Sequence, residues 1–385
     1  MKNRKTYLLR GLLVLLAAAL VLLIVGRLLA APARVEAGQP EERADYESAV
    51  VEQVLSDSTE KDPAADNGYR GEQLLLVTVK SGDYQGQQMQ VYNYVGPLYG
   101  GPLHAGDRAT ILISSYSDGT VNATVYEFDR LIPLAIVVAL FIAAAVIVGG
   151  RTGAKSLVAL AVTLMCLFGV LLPALMKGAN TMLMTFIVCA YVAVVSLTIV
   201  GGVQKKSVCA MLGAVAGTAL ALLFGLLAQA LTRVDGLRIE DVEPLLQLRQ
   251  TGTPIGLRGL LVGGIIISAL GAVMDVTMGI ASSLAEVHAA NPQLSRRELF
   301  RSGMNIGRDM VGTMTNTLIL AFLGSGFTLI LYLYSLGLSF RQLMSSAYVS
   351  MEVVSGVASS VGVILSIPLT ALITAAVFTR EKQQS

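Results

Sequence analysis

The sequence predicts an all-α polytopic membrane bundle, about eight transmembrane helices, with a small extracytoplasmic β-barrel-like domain. Three observations lead there. Hydrophobic residues fill 54% of the 385 positions and charged residues only 14%, against roughly 25% charged in a soluble domain. Apolar runs of about 20 residues, the length that crosses a bilayer, recur along the chain. Basic residues collect in alternate connectors, the pattern that marks cytoplasmic loops.

The first ten residues carry Lys2, Arg4, Lys5 and Arg10, and residues 11–31 are nearly all Leu, Val and Ala. Ala31-Pro32-Ala33 has the small residues of a cleavage site, so a signal peptide is one reading of 1–33. The length of the run favours the other, a retained N-terminal transmembrane anchor. Either way the basic start stays in the cytoplasm and the next segment lies outside.

Residues 34–130 form the soluble region. It opens with a run of acids from Glu41 to Asp66. Five β-type runs follow at 48–54, 73–80, 87–93, 108–114 and 120–128, separated by turn signals such as Ser81-Gly82-Asp83 and Ala105-Gly106-Asp107. Five short strands fit an SH3-like or OB-like barrel. An acidic, external barrel is a poor nucleic-acid binder. The open readings are a lid or protein-partner module and a folded spacer. Tyr92, Tyr94, Tyr99 and Tyr116 are expected in the strand core, the alternative being an exposed aromatic surface.

Residues 131–385 read as a seven-helix membrane domain, with spans at 131–150, 156–176, 181–201, 207–231, 257–274, 312–334 and 356–378. Eight crossings in all place Arg151/Lys155, Lys205/Lys206, Arg296/Arg297/Arg301/Arg308 and Arg380/Lys382 inside. Lys177 and the mixed-charge loop 235–249 fall outside. Both termini are then cytoplasmic in a multi-pass protein of the cell membrane. The stretch 336–355 is expected to be an external amphipathic or re-entrant segment. Small residues such as Gly213, Gly217, Gly263, Ser359 and Gly362 are read as close helix packing.

The chemistry concentrates between 275 and 324. Asp275, Gly279, Ser282 and Glu286 share one helical face, and so do Asn305, Asp309, Gly312 and Asn316. Ionisable groups inside a membrane are costly unless paired or hydrated, and usually mark function. The two stripes are expected to face each other or a watery cavity. The competing reading makes them solvated, structurally paired helix ends. Ser295-Arg296-Arg297-Glu298 fits a capping box, so a helix begins at Arg296. Gly303, Gly307 and Gly312 permit close approach or a break. Arg308 is the natural partner of Asp275 or Asp309. Glu352 is the other acid near the membrane, read either as an outer-entrance group or as an ordinary interfacial carboxylate.

The motif from Ser302 to Asp309, SGMNIGRD, followed by MVGTMTNTLILA and preceded by DVTMGIASSLAEV, strongly resembles the YibE/F family of bacterial multi-pass membrane proteins. The resemblance runs from about residue 131 to the C-terminus and is weaker in the external domain. It implies a permease-type integral membrane protein. It carries over no substrate, reaction or catalytic residue.

An enzyme is not expected. Ile306-Gly307-Arg308-Asp309 only loosely matches an intramembrane aspartyl-protease GxGD motif and lacks its first glycine. No HExxH, GxSxG or Walker A motif is present. Cys166, Cys189 and Cys209 have no CxxC spacing and are read as core residues, and two histidines, His104 and His288, are too few for a multi-histidine metal site. No cofactor or metal is therefore expected. The favoured function is a secondary transporter or channel for a small polar solute or ion in the lipid bilayer. Asp275, Glu286, Asn305, Arg308, Asp309, Asn316 and Glu352 are the binding candidates. The alternative is a non-transporting scaffold that binds a protein partner through its external domain.

Overall fold

The computed structural model describes residues 42–379, apart from 64–67, 98, 117–118, 235–242, 251, 253, 256 and 258. The apolar run 11–31 and the basic residues Arg380 and Lys382 lie outside the described residues. The described residues divide into two compact units, one up to Ala144 and the other from Ala145 onward.

The described residues of the first unit form six strands: β1 (Glu42–Asp57), β2 (Glu60–Lys61), β3 (Tyr69–Val79), β4 (Gln88–Val95), β5 (Arg108–Tyr116) and β6 (Val121–Phe128). β1 is long enough to serve two neighbours. Its first part pairs with β5 and its second with β3, and bulges at Val51/Gln53 and Val54/Ser56 turn it between them. The ring runs β1-β5-β6-β4-β3 and returns to β1, with a parallel β4–β6 closure at Tyr92↔Thr124. That is the connectivity of a five-stranded OB-type Greek-key barrel, so of the two barrel types expected the structure takes the second. Closure leaves few free strand edges.

Alternate residues fill the barrel, as a period of two requires: Leu75, Val77 and Val79 on β3, Val91 on β4, and Ala109, Ile111 and Ile113 on β5. The tyrosines depart from expectation. Tyr92, Tyr94, Tyr99 and Tyr116 are all exposed, and it is Asn93 that is buried, 2% accessible. The reason is the polar pair inside. Asn93 Nδ2 donates to Gln73 Oε1 at 3.0 Å, the Leu103 amide donates to the same oxygen at 2.9 Å, and Gln73 Nε2 donates to Asp57 at 2.8 Å. With its amides satisfied, Asn93 occupies an inward position, and the alternation forces its neighbours Tyr92 and Tyr94 outward.

The second unit is helical. α1 (Leu131–Cys166) begins in the first unit and continues here. A π-helical turn (Leu167–Leu171) and α2 (Leu172–Met176) extend it. Gly150 breaks α1 with φ 53° and ψ −133°, a backbone conformation open mainly to glycine. Then come α3 (Thr181–Gly201), α4 (Lys205–Thr232), α5 (Glu243–Gln250), α6 (Leu260–Ala290), α7 (Arg296–Ser325), α8 (Phe327–Ser335), α9 (Phe340–Ser345) and α10 (Ala347–Thr379). α7 starts at the anticipated capping box: Ser295 Oγ accepts from the Glu298 amide, and Glu298 accepts from the Ser295 amide.

Among the described residues five helices are long and apolar enough to cross a membrane, or six if α7 and α8 count as one span bent by 63°. The expected count of about eight is not reached among these residues. The runs 131–150 and 156–176 join in one helical stretch broken at Gly150, and the first run is not described. Two boundaries also differ. α6 continues past the expected end at 274 to Ala290, and α10 starts at Ala347, so Glu352 lies inside a long helix.

α10 is the central post, packed by α4, α6 and α7. Its seam with α4 is made of small residues in antiparallel register. A Cβ added at Gly213 would strike Thr370, one at Gly217 would lie 2.6 Å from Ser366 Cβ, and one at Gly362 would lie 2.6 Å from Ala221 Cβ. Backbones in membrane bundles approach this closely because packing must replace the hydrophobic drive. Three hydroxyls along the seam are satisfied locally: Thr218 donates to the Ala214 carbonyl, Ser366 to Val363 and Thr370 to Ser366, each at 2.7 Å. Cys166, Cys189 and Cys209 are buried free thiols.

Candidate functional site

α7 has two unlike faces. Leu299, Gly303 and Gly307 are buried. A Cβ on Gly303 would come 2.9 Å from Leu284 of α6 and 2.8 Å from Ala371 of α10, and one on Gly307 would meet Ile367. These glycines therefore serve close approach, and the break falls later, at Gly326 between α7 and α8. With the inner face fixed by glycine, the stripe Asn305, Asp309, Gly312 and Asn316 turns outward, and all four are exposed.

The contacts fix the depth of this stripe. Gly307 lies at the level of Ile367, and Phe322 lies 3.5 Å from where a Gly356 Cβ would be. Ile367 and Gly356 straddle the middle of α10, which runs from Ala347 to Thr379. Asn316, between Gly307 and Phe322 on α7, is thus level with the centre of a membrane-length helix.

The structure does not pair the charges as expected. Arg308 reaches only Asn305, at 3.5 Å, and both are exposed. Among the described residues Arg308 forms no ion pair with Asp275 or Asp309. Asp275 faces a different space, a groove of about 410 Å³ between α1, α3 and α6, whose other polar lining includes Ser156, Thr163 and Ser196. Glu286 is exposed in the last turns of α6. On the α6 stripe, Gly279 sits against Met310 of α7.

Glu352 lies half-buried on α10 beside the α7–α8 bend: a Cβ on Gly326 would come 3.7 Å from its Cγ. Its Oε2 is buried without a hydrogen-bond partner among the described residues, next to a cavity of about 160 Å³ otherwise walled by apolar residues such as Phe322 and Ile330. The candidate acids do not converge: among the described residues no three His, Cys, Asp or Glu side chains are placed to hold one metal ion.

Four groups escaped the sequence reading. Thr315 Oγ1, His288 Nδ1, Ser207 Oγ and Thr374 Oγ1 are buried without hydrogen-bond partners among the described residues. Thr315 adjoins Asn316, and its position inside the polar run was the signal for it. The His288 ring packs edge-on against Phe378, with centroids 5.7 Å apart, a contact 90 residues distant that no local pattern reveals.

Apolar helices of membrane length, packed around a small-residue post and carrying one polar face, suggest a polytopic membrane protein. The family model for YibE/F-like protein matches residues 137–380, most of the helical unit, and the chain belongs to that family. No curated protein and no solved structure matches the chain significantly.

Proposed function

We propose that the chain is a permease-like protein of the cell membrane, a secondary transporter or channel for a small polar solute or ion, with both termini cytoplasmic. The observation that carries this is the outward polar face of α7, where Asn305, Asp309 and Asn316 follow one another to mid-bundle depth. Side chains of this kind at that depth require water, a passenger or a protein partner. The 63° bend at Gly326 and the unpartnered Glu352 oxygen beside it give this face the character of the interrupted helices that form transporter sites. The amides would orient a polar solute, the Asp309 and Glu352 carboxylates would attract a cation or proton, and Asp275 and Glu286 would line a second approach along α6.

The test is flux. Protein in proteoliposomes is screened across a panel of ions and small polar solutes, and Asp309→Asn and Asn316→Leu are compared on any solute carried. At least a tenfold fall in flux supports the pathway. Unchanged flux in both variants removes this face from it.

The second reading, a scaffold that engages a partner through the barrel, has its own observation. Tyr92 and Tyr94 are about half exposed with nearly parallel rings, centroids 6.4 Å apart, and Tyr46 and Tyr126 form a second exposed pair at 5.0 Å. Exposed aromatic clusters of this kind mark interaction surfaces.

A further inference from the structure

We infer that the polar face of α7 is a seam between two copies of this chain. Asn305, Arg308, Asp309, Gly312, Thr313, Asn316 and Thr317 are exposed on one protomer, and Asn316 is level with the middle of α10. Hydrocarbon cannot satisfy an amide or a carboxylate, so a face like this is covered in the membrane by something that can.

The face is complementary to itself. Copies of one chain insert in the same direction, so a closed pair is related by a two-fold axis along the membrane normal. Equal levels then meet. Asn316 faces Asn316 of the second copy, and an amide is donor and acceptor to another amide. Asn305 likewise meets its counterpart. Arg308 and Asp309 are neighbours in sequence, so each arginine comes level with the opposite aspartate, and two charges with no ion pair among the described residues of the protomer become two ion pairs. Gly312 lies between these groups and has nothing among the described residues within 4 Å of its Cβ position, which leaves room for a second backbone to approach.

The apolar run 11–31 is the competing cover within the chain. Its only hydrogen-bonding side chain is Arg27, which can serve one level of the column and leaves the other amides and acids without a partner. Any conduit along α7 would be walled by both copies; that consequence rests on the transport reading, whereas the seam does not.

The test is disulfide cross-linking of the full-length chain in native membranes. Single cysteines replace Gly312 or Asn316 on the outer face, and Met310 or Met314 as controls; Met310 points at Gly279 of α6. The native cysteines are at most 1% accessible and give a low background. The seam predicts a covalent dimer from positions 312 and 316, at least tenfold above positions 310 and 314. Without cysteines, Asn316→Leu lowers the dimer fraction about tenfold in detergent-free membrane particles, and Asn316→Gln, which keeps the amide, preserves it. Equal linking at all four positions, or none at the outer two, overturns the inference. So does linking of position 316 to a cysteine placed in 11–31, or its labelling by a membrane-impermeant thiol reagent without dimer. The outcomes separate from those of the flux assay: a dimer with no flux keeps the seam and loses transport, and flux lost in Asp309→Asn without any dimer does the reverse.

Discussion

Ser268 of α6 and Ser359 of α10 share a hydrogen bond of 2.8 Å between two helices that meet deep in the bundle. Ser268 also donates to the Ile265 carbonyl at 3.0 Å, and Ser359 has only a longer contact to that same oxygen, at 3.4 Å. Such bonds across membrane helices contribute about 0.6 kcal/mol on average and up to ~1.7 kcal/mol. Ser268→Ala is expected to cost at least as much as Ser359→Ala, because it leaves the fully buried Ser359 hydroxyl with the poorer acceptor. A double-mutant cycle on unfolding in detergent measures the coupling; additive single effects would show that the two hydroxyls act independently.

Gly307 and Gly312 are five residues apart on one helix and should respond oppositely to alanine. At Gly307 the new methyl meets Ile367, and at Gly312 it meets nothing among the described residues of the protomer. Overpacking a filled core costs about 1–3 kcal/mol, whereas glycine to alanine in an open helical position gains up to ~1 kcal/mol. Thermal unfolding of the monomeric, detergent-solubilised protein should rank Gly307→Ala below and Gly312→Ala at or above the parent. The reverse order would contradict the assignment of α7's two faces.

Replacing Gln73 by Leu should loosen the loop that Leu103 anchors. It strips the acceptor from both Asn93 Nδ2 and the Leu103 amide. A buried donor left unsatisfied costs about 1–3 kcal/mol. Asn93 retains a bond to the Gly101 carbonyl at 3.3 Å, so the Leu103 amide is the more exposed to loss. Hydrogen exchange should show faster exchange at Leu103 than at the β3 amides; equal exchange at both would mean that the amide pair anchors nothing.

Acid should weaken the barrel through two carboxylates. The Thr59 hydroxyl, then the Thr59 amide and Gln73, hold Asp57 below the usual range, and the Arg130 guanidinium does the same for Glu127. A carboxylate lowered on folding adds stability that is whole above its ordinary value and is lost as pH falls through the lowered one. Unfolding of the barrel, followed by hydrogen exchange in the intact protein, should therefore become easier below about pH 4. Asp57→Asn should flatten that dependence, and an unchanged slope would remove Asp57 from it.

Composition and periodicity were enough for the membrane class and the five main strands, though not for the number of spans. A run such as 181–201 is a helix in hydrocarbon whatever surrounds it, because its backbone has no other donors or acceptors. The capping box at Ser295 was legible for a similar reason, since it depends on neighbours a few residues away, and the small residues of α4 and α10 were legible as packing positions without showing which helix they would meet.

Direction was beyond that reading. Sequence spacing placed Asn305, Asp309 and Asn316 on one face of a helix. It did not say that Gly303 and Gly307, pressed against Leu284, Ala371 and Ile367, would take the inward side and turn the polar face out. Nor could alternation along β4 reveal that Asn93 rather than the tyrosines points inward, because its partner Gln73 lies twenty residues away. Local pattern determines which residues share a face; which face is buried depends on what the rest of the chain can pack or hydrogen-bond against it, and only the tertiary structure decides that.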